Sequence, residues 1–247
     1  MRPVFIGIGN NGMKVVWGIK YEKARKLFLD STSYIFHRRI FLKKLEEIMW
    51  KIEKGTHVWV IFDNKPVNIE ILMHILDNSP SDLFKLAYVL SPGKELVFED
   101  RPSWADHFET VFYDSFWEFL KGREDKPIWQ AYLEASASIG QLFTKLYDYL
   151  DNQMLVNVDL ADFRQIVRGG NIGILRLLSS VDFDWHWGIW ERGLINILAE
   201  DKTPLEDVTK VLQKFQEVLR EKDIIWGVKM NGNIRGMEIL ALLVRKW

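Results

Sequence analysis

The sequence predicts an α/β protein with a Rossmann-like parallel sheet in its N-terminal domain, a long central helix, and a smaller α+β C-terminal domain. Three observations carry this reading. Short apolar runs of strand length alternate with amphipathic helical stretches through the first half. A G-x-G-x-x-G turn, Gly7-Ile8-Gly9-Asn10-Asn11-Gly12, separates the first run from a helical segment. Lys126-Pro127 then opens an unbroken helical pattern of about 22 residues, enough to span roughly 33 Å. The predicted boundaries are residues 1–126, 127–150 and 151–247.

The elements follow in order. Pro3 to Ile8 is a short buried strand, and the helix after its glycine turn is expected over Met13 to Tyr21. Lys26-Leu27-Phe28-Leu29-Asp30 is a second apolar run that ends in an acid. Arg38 to Glu53 places Ile40, Leu42, Leu45, Ile48, Met49 and Ile52 at helical spacing with charges between them, which reads as a packed amphipathic helix with a solvated face. Strands follow at His57–Phe62, Lys85–Leu90 and Glu109–Tyr113, with helices at Val67–Asp77 and Asp114–Lys121. On the long helix, Ile128 to about Tyr149, residues Leu133, Ala137, Gly140, Phe143 (or Thr144) and Tyr147 lie near one face.

Past that helix, Val156-Asn157-Val158-Asp159 leads into a helix from Leu160 to Arg168, which Gly169-Gly170 stops. Ile172–Ser180 reads as a strand, Trp185–Arg192 as a short helix and Leu194–Ala199 as a strand. Thr203-Pro204-Leu205-Glu206 has the form of an N-cap, a first-turn proline and an acidic first turn, opening a helix that runs to Glu221. Ile224–Met230 and Met237–Arg245 are strands joined by the turn Asn231-Gly232-Asn233.

Composition narrows the function. The 247 residues carry 33 Lys+Arg against 34 Asp+Glu, a balance that argues against a nucleic-acid binder. There is no Cys, which excludes disulfides and thiolate metal sites and suits a cytoplasmic protein. The five His are scattered; His186 has no second ligand at metal spacing, so no metal site is expected. No apolar run reaches the roughly 18 residues of a membrane span, and no direct membrane insertion is expected.

Read from residues alone, the glycine turn and Asp30 fit a dinucleotide fold, with Asp30 as the ribose-binding carboxylate of an NAD(P)-dependent oxidoreductase. No acid–base pair for a nicotinamide accompanies them. Gly7, Gly9 and Gly12 equally suit an empty, tight strand-to-helix turn. Asp159 and Asp162 suit either chemistry or a capping box, in which each serves the other's backbone and Asn157 orders the turn.

The second half resembles the tubulin/FtsZ family. Val156-Asn157-Val158-Asp159-Leu160-Ala161-Asp162-Phe163, followed by Arg168-Gly169-Gly170, is similar to the family's synergy loop, N-x-D-x-x-D, and the helix after it. Gly193 to Ile197 through Thr203-Pro204-Leu205-Glu206 resembles the strand-to-helix passage of the FtsZ C-terminal domain, and Asp223 to Lys229 its penultimate strand. The matching order covers nearly all of residues 127–247, and Gly7 to Gly12 fits the family's first nucleotide loop. The resemblance implies a tubulin/FtsZ-like fold and a role in filament assembly or its regulation, in the cytoskeleton and cell division. It implies GTP or GDP at Gly7, Gly9, Asn10, Asn11, Gly12 and Tyr132. It also implies head-to-tail stacking, in which Asn157, Asp159 and Asp162 of one subunit act on the nucleotide of the next. The implied partner is a second copy of this chain or a genuine FtsZ/tubulin-family protomer.

Departures from the family pattern point to lost or weakened GTP binding. The family's second glycine-rich loop would follow Phe62, where this chain has Asp63-Asn64-Lys65-Pro66-Val67-Asn68, with no glycine to build a nest of amides. The segment between Asp30 and Arg38 is too short for the loop that senses the γ-phosphate. Counting back from Asn157 puts Trp129 at a base- or ribose-contacting Asn, Tyr132 at the aromatic stacking position and Ser136 at the guanine-reading Asp. A pseudo-GTPase is one expectation; an active GTPase with a rebuilt site is the alternative. Trp185, His186, Trp187 and Trp190 form an aromatic cluster that suits a partner patch or the packing of a short helix. The sequence ends at Leu243-Val244-Arg245-Lys246-Trp247, in or just past the last strand, without the family's linker and adaptor-binding tail.

Overall fold

A computed structural model of the chain describes residues 2–91, 93, 100–152, 155–179, 190–219, 223–232 and 234–247. The chain divides into two compact units, Met1–Gln141 and Leu142–Trp247.

The first unit holds β1 (Val4–Ile8), α1 (Gly9–Gly18), β2 (Arg25–Leu29), α2 (Ser31–Met49), β3 (His57–Asp63), α3 (Pro66–Asp77), β4 (Phe84–Ser91), β5 (Thr110–Ser115) and α4 (Phe116–Leu120). These five strands lie in the order β2-β1-β3-β4-β5, and every neighbouring pair is parallel. β1 and β3 are buried along their whole length, so they are apolar on both faces, as central parallel strands must be. The chain leaves β1 toward β2 on one side and returns as β3 on the other. That reversal makes the carboxyl ends of β1 and β3 the topological switch point, where open α/β sheets form a crevice.

Two helix starts in this unit differ from expectation by a turn or more. α1 begins at Gly9, not Met13, so Asn10, Asn11 and Gly12 lie within its first turn. α2 begins at Ser31, not Arg38, because the Asp30 carboxylate accepts the backbone N–H groups of Thr32 and Ser33 and caps it. The short segment between Asp30 and Arg38 is therefore helix. α2 kinks at His37 (φ −134°, ψ 38°). Leu45 and Met49 of the expected packed face are buried, but Ile40 points to solvent.

α5 (Ile128–Asp151) runs through the division between the units. Gly140 and Phe143 of its expected face are buried while Leu133 is exposed; Ala131, Ala135 and Ile139 complete the buried line in the first unit. An added Cβ at Gly140 would stand against the backbone of Gly18 and Ile19, so α5 and the end of α1 meet backbone to backbone there.

The second unit contains α6 (Leu160–Val167), β6 (Asn171–Leu178), β7 (Arg192–Ala199), α7 (Leu205–Val218), β8 (Asp223–Met230) and β9 (Met237–Lys246). Its strand order is β6-β9-β7-β8. β9 is antiparallel to β6 and β7, and β8 is parallel to β7 with α7 as the crossover. β8 and β9 follow each other in sequence but do not pair. Ile239 to Val244 of β9 are wholly buried and take the centre, whereas Asp223 to Trp226 of β8 suit an edge. α7 begins at Leu205 with Pro204 in the N-cap place and no side-chain cap, one residue later than expected, and Glu206 and Asp207 fill its first turn. Most of the expected helix over 185–192, with Ser180, Glu221 and Asn233, lies outside the described residues; Arg192 belongs to β7.

Candidate functional site

At the switch point the glycine turn is packed, not open. Gly9 has φ +70°, and a Cβ there would meet the Asn68 side-chain amide at 2.8 Å. A Cβ on Gly12 would run into the carbonyl of Ile61 in β3. The motif's glycines thus let β1, α1 and β3 approach at backbone contact, a packing demand that exists without any ligand.

Beside this turn lies a polar network built from four elements. Asp63 ends β3 with its carboxylate almost fully buried. Asn11 of α1 donates to Asp63 Oδ2 at 3.2 Å, and Lys65 Nζ stands 2.6 Å from the same oxygen. Asn68, in the first turn of α3, donates its amide to the Asp63 carbonyl at 3.1 Å and also to Asp63 Oδ1. Ser31, opening α2, donates its hydroxyl to Asn68 Oδ1 at 2.6 Å. A buried carboxylate is costly unless it is paired and hydrogen-bonded, and here both oxygens are engaged. The ground beside the start of α1, where free N–H groups favour an anion, is occupied by the chain's own amide and carboxylate.

Next to the network is a cavity of about 380 Å³ at the carboxyl ends of the strands, lined by Asn11, Asp63, Lys65, Ser91, Phe116 and Tyr132 among others. The Tyr132 and Phe116 rings pack with centroids 5.0 Å apart and planes 30° apart. These rings give the lining an apolar, aromatic part, and Asp63 with Asn11 and Lys65 gives it a polar one. Trp129 is exposed to solvent outside this lining. Ser136 is buried and donates its hydroxyl to the Tyr132 carbonyl at 2.8 Å, so it supplies no acid for reading a base. Of the residues expected to contact a nucleotide, Asn11 and Tyr132 line the cavity. Asn10 is exposed in the first turn of α1, and Gly7, Gly9 and Gly12 are buried behind it. A larger cavity, about 720 Å³, opens at the other end of β1 and β2, with Arg2, Arg25 and Lys51 mixed with Glu22 and Glu53. It lies away from the switch point and has no comparable aromatic wall.

In the second unit, Asp159 and Asp162 form a complete capping box. Asp159 Oδ1 accepts the N–H groups of Ala161 at 2.7 Å and Asp162 at 2.9 Å, and Asp162 Oδ2 accepts the N–H of Asp159 at 2.9 Å. Val158 is buried between them and Asn157, which is exposed; Asp159 is exposed too, so the loop presents its polar side outward. Lys246 Nζ donates to the Gly169 carbonyl at 2.9 Å just past the end of α6. The capping role and an outward carboxylate coexist, because each carboxylate has acceptor positions beyond those the box uses.

Other candidates resolve differently. Asp30 is a helix cap: its oxygens serve Thr32, Ser33 and the Ser33 hydroxyl at 2.8 Å, not a ribose. Trp190 is fully buried and contributes nothing to an exposed patch; Trp185, His186 and Trp187 lie outside the described residues. Among the described residues there is no cluster of three or more metal-ligating side chains. Sequence reasoning missed Asp63, Lys65, Asn68, Ser31 and Phe116 as site residues. Its one available signal was an acid closing a wholly apolar strand, with an amide five residues on across a proline.

Comparison with solved structures defines the class of this architecture. Over 99% of this chain and 88% of the other, it superposes on an FtsZ dimer, empty, from M. jannaschii, with a TM-score of 0.70 and 15% identity. A CetZ2 protofilament from Haloferax volcanii, GTPγS-bound, matches with a TM-score of 0.71 and 10% identity over 100% of this chain and 93% of that one. TubZ from Bacillus thuringiensis serovar israelensis, in GDP-form protofilaments, matches with a TM-score of 0.67 and 9% identity over 98% and 84%. The chain has a tubulin/FtsZ-like fold. No protein-family model matches the sequence, and no curated protein matches it either.

Proposed function

We propose that this chain is a tubulin/FtsZ-like cytoskeletal protein that acts in filament assembly or its regulation, with ordinary GTP binding lost or weakened. The observation that supports this reading is the Asp63–Asn68 network. It fills the phosphate ground beside α1, and the loop after β3 has a proline at the start of α3 in place of glycines. A triphosphate would have to displace a buried, fully bonded carboxylate and approach it with like charge. The Asn157–Asp162 loop, outward and acidic, is the face by which the chain would meet a second copy or a related protomer. Such contact is consistent with the dimer and protofilament states of the similar structures.

Thermal melting with GTP, GDP and ATP tests the first half. No shift at millimolar nucleotide is expected, and a rise of several degrees would overturn it. Pelleting with an FtsZ-type filament, with wild type against Asp159→Ala/Asp162→Ala, tests the second: equal or absent co-pelleting for both would sink it. A second reading, a nucleotide-binding GTPase with a rebuilt site, draws on the cavity and its Tyr132–Phe116 wall. It predicts the melting shift, and loss of that shift in Tyr132→Ala.

A further inference from the structure

The outward side of α2 is unlike that of an ordinary surface helix. Phe36 is 75% exposed, Ile40 61% and Trp50, at its C-cap, 65%; Ile35 is 63% exposed as well. Ile40, Lys43, Glu47 and Trp50 follow one another at steps of three and four residues, which places them along one line of the helix. Phe36 stands one turn before Ile40, across the kink at His37. From Phe36 to Trp50 the helical rise gives a length of about 21 Å.

Charge is arranged around this line. Arg39, Lys43, Lys44 and Lys51 are exposed and have no ion-pair partner among the described residues; Arg38 pairs with Glu70 at 2.5 Å. Between Ser31 and Lys44 the helix carries no acid, and Glu46 and Glu47 are the only ones before Lys51. Phe36, Ile40 and Trp50 line neither the cavity of about 720 Å³, which Lys51 borders, nor the cavity of about 380 Å³. An extended ridge of aromatic and aliphatic side chains, with cations on both flanks, suits a planar, negatively charged, apolar-cored surface.

We propose that α2 is an interfacial helix that seats the first unit on an anionic lipid bilayer, with Phe36, Ile40 and Trp50 in the headgroup–acyl boundary and Arg39, Lys43, Lys44 and Lys51 on lipid phosphates. This is peripheral adsorption, compatible with the fact that no helix among the described residues is long and apolar enough to cross a membrane. It does not depend on the nucleotide reading above. The aliphatic stems of the cations would lie along the apolar line while their charges reach upward to the headgroups.

The test is co-sedimentation of the full chain with vesicles of equal parts phosphatidylglycerol and phosphatidylcholine, against pure phosphatidylcholine. Binding to the anionic vesicles is expected, weakened on the order of tenfold or more by Lys43→Gln/Lys44→Gln and by raised salt. Phe36→Glu/Ile40→Glu should abolish it while leaving the melting temperature unchanged, since both side chains are exposed. Absence of binding to anionic vesicles overturns the proposal, as does equal binding by wild type and either double variant. Sedimentation velocity supplies a further arm: a dimer that dissolves in Phe36→Glu/Ile40→Glu would show that a second copy covers this ridge, which also overturns it.

Discussion

α6 begins on a carboxylate of its own first turn, whereas α1 begins on glycine with no side-chain cap. Every helix leaves its first N–H groups without intrahelical partners. At α6 the remedy is local: Asp159 and Asp162, three residues apart, serve each other's backbone. At α1 no local remedy exists, and the polar groups nearby come from β3, α3 and α2, as Asp63, Asn68 and Ser31. The acidic loop is therefore complete within a dozen residues, with Asp159 exposed on its outer side. The glycine turn is complete only when the first unit has folded and brought Asp63, Asn68 and Ser31 beside it.

The largest expected effect probes the glycine turn. Gly12→Val drives two methyl groups at the Ile61 carbonyl, which is backbone and cannot yield, and should cost about 3 kcal/mol. The measurement is thermal unfolding without ligand; an unperturbed melt would mean that the glycine is kept for a ligand and not for packing. Asp63→Ala comes next, at about 2 kcal/mol, because Asn68 is left buried without its main acceptor while Lys65 can turn to water. If removing Asp63 also uncovers a GTP-dependent melting shift absent in wild type, the network is what closes the phosphate ground. At α6, Asp159→Ala should cost about 1 kcal/mol and Asp159→Asn only a few tenths, since Asn caps nearly as well. The Asn variant separates the two roles of that loop: stability retained with filament co-pelleting lost would mark the charge, not the cap, as the functional feature.

That contrast also explains what the sequence could disclose. The capping box, the stop at Gly169-Gly170 and the runs that became β1 and β3 depend on neighbours within a turn or on an unbroken apolar run of strand length, and they are legible in order. The network is not, because its bonds join residues 37 and 52 positions apart, Ser31 to Asn68 and Asn11 to Asp63. Asp63 reads in sequence as the end of a strand, and only the parallel pairing of β1 with β3 brings it to Asn11. The placement of β9 between β6 and β7, away from β8, was hidden for the same reason: the turn near Asn231 describes a reversal of the chain but not which strand it pairs with. Ile40 misled in the opposite sense, since helical spacing marks a face without saying whether anything covers it.

A third helix start gives the smallest effect and the finest test of the comparison. Asp30 caps α2 locally, as Asp159 caps α6, yet it belongs to the unit whose other capping is long-range. Partial burial pushes its carboxyl upward, but the hydrogen bonds from Ser33 and Thr32 outweigh that and hold its pKa below the usual carboxylate range. A depressed folded-state pKa means that the cap stabilises above the unfolded value and that this contribution fades as pH falls through the folded one. The kink at His37 confines what the cap supports to the opening of α2, so Asp30→Ala should cost about 0.5 kcal/mol at neutral pH, the low end for a lost cap. The melting-temperature gap between wild type and Asp30→Ala should close as pH drops below that folded pKa, while Asp30→Asn should track wild type at neutral pH and show no such acid-dependent loss. A gap that persists unchanged into acid would mean that the helix start is held by packing, and that local capping in this unit matters as little for α2 as it does for α1.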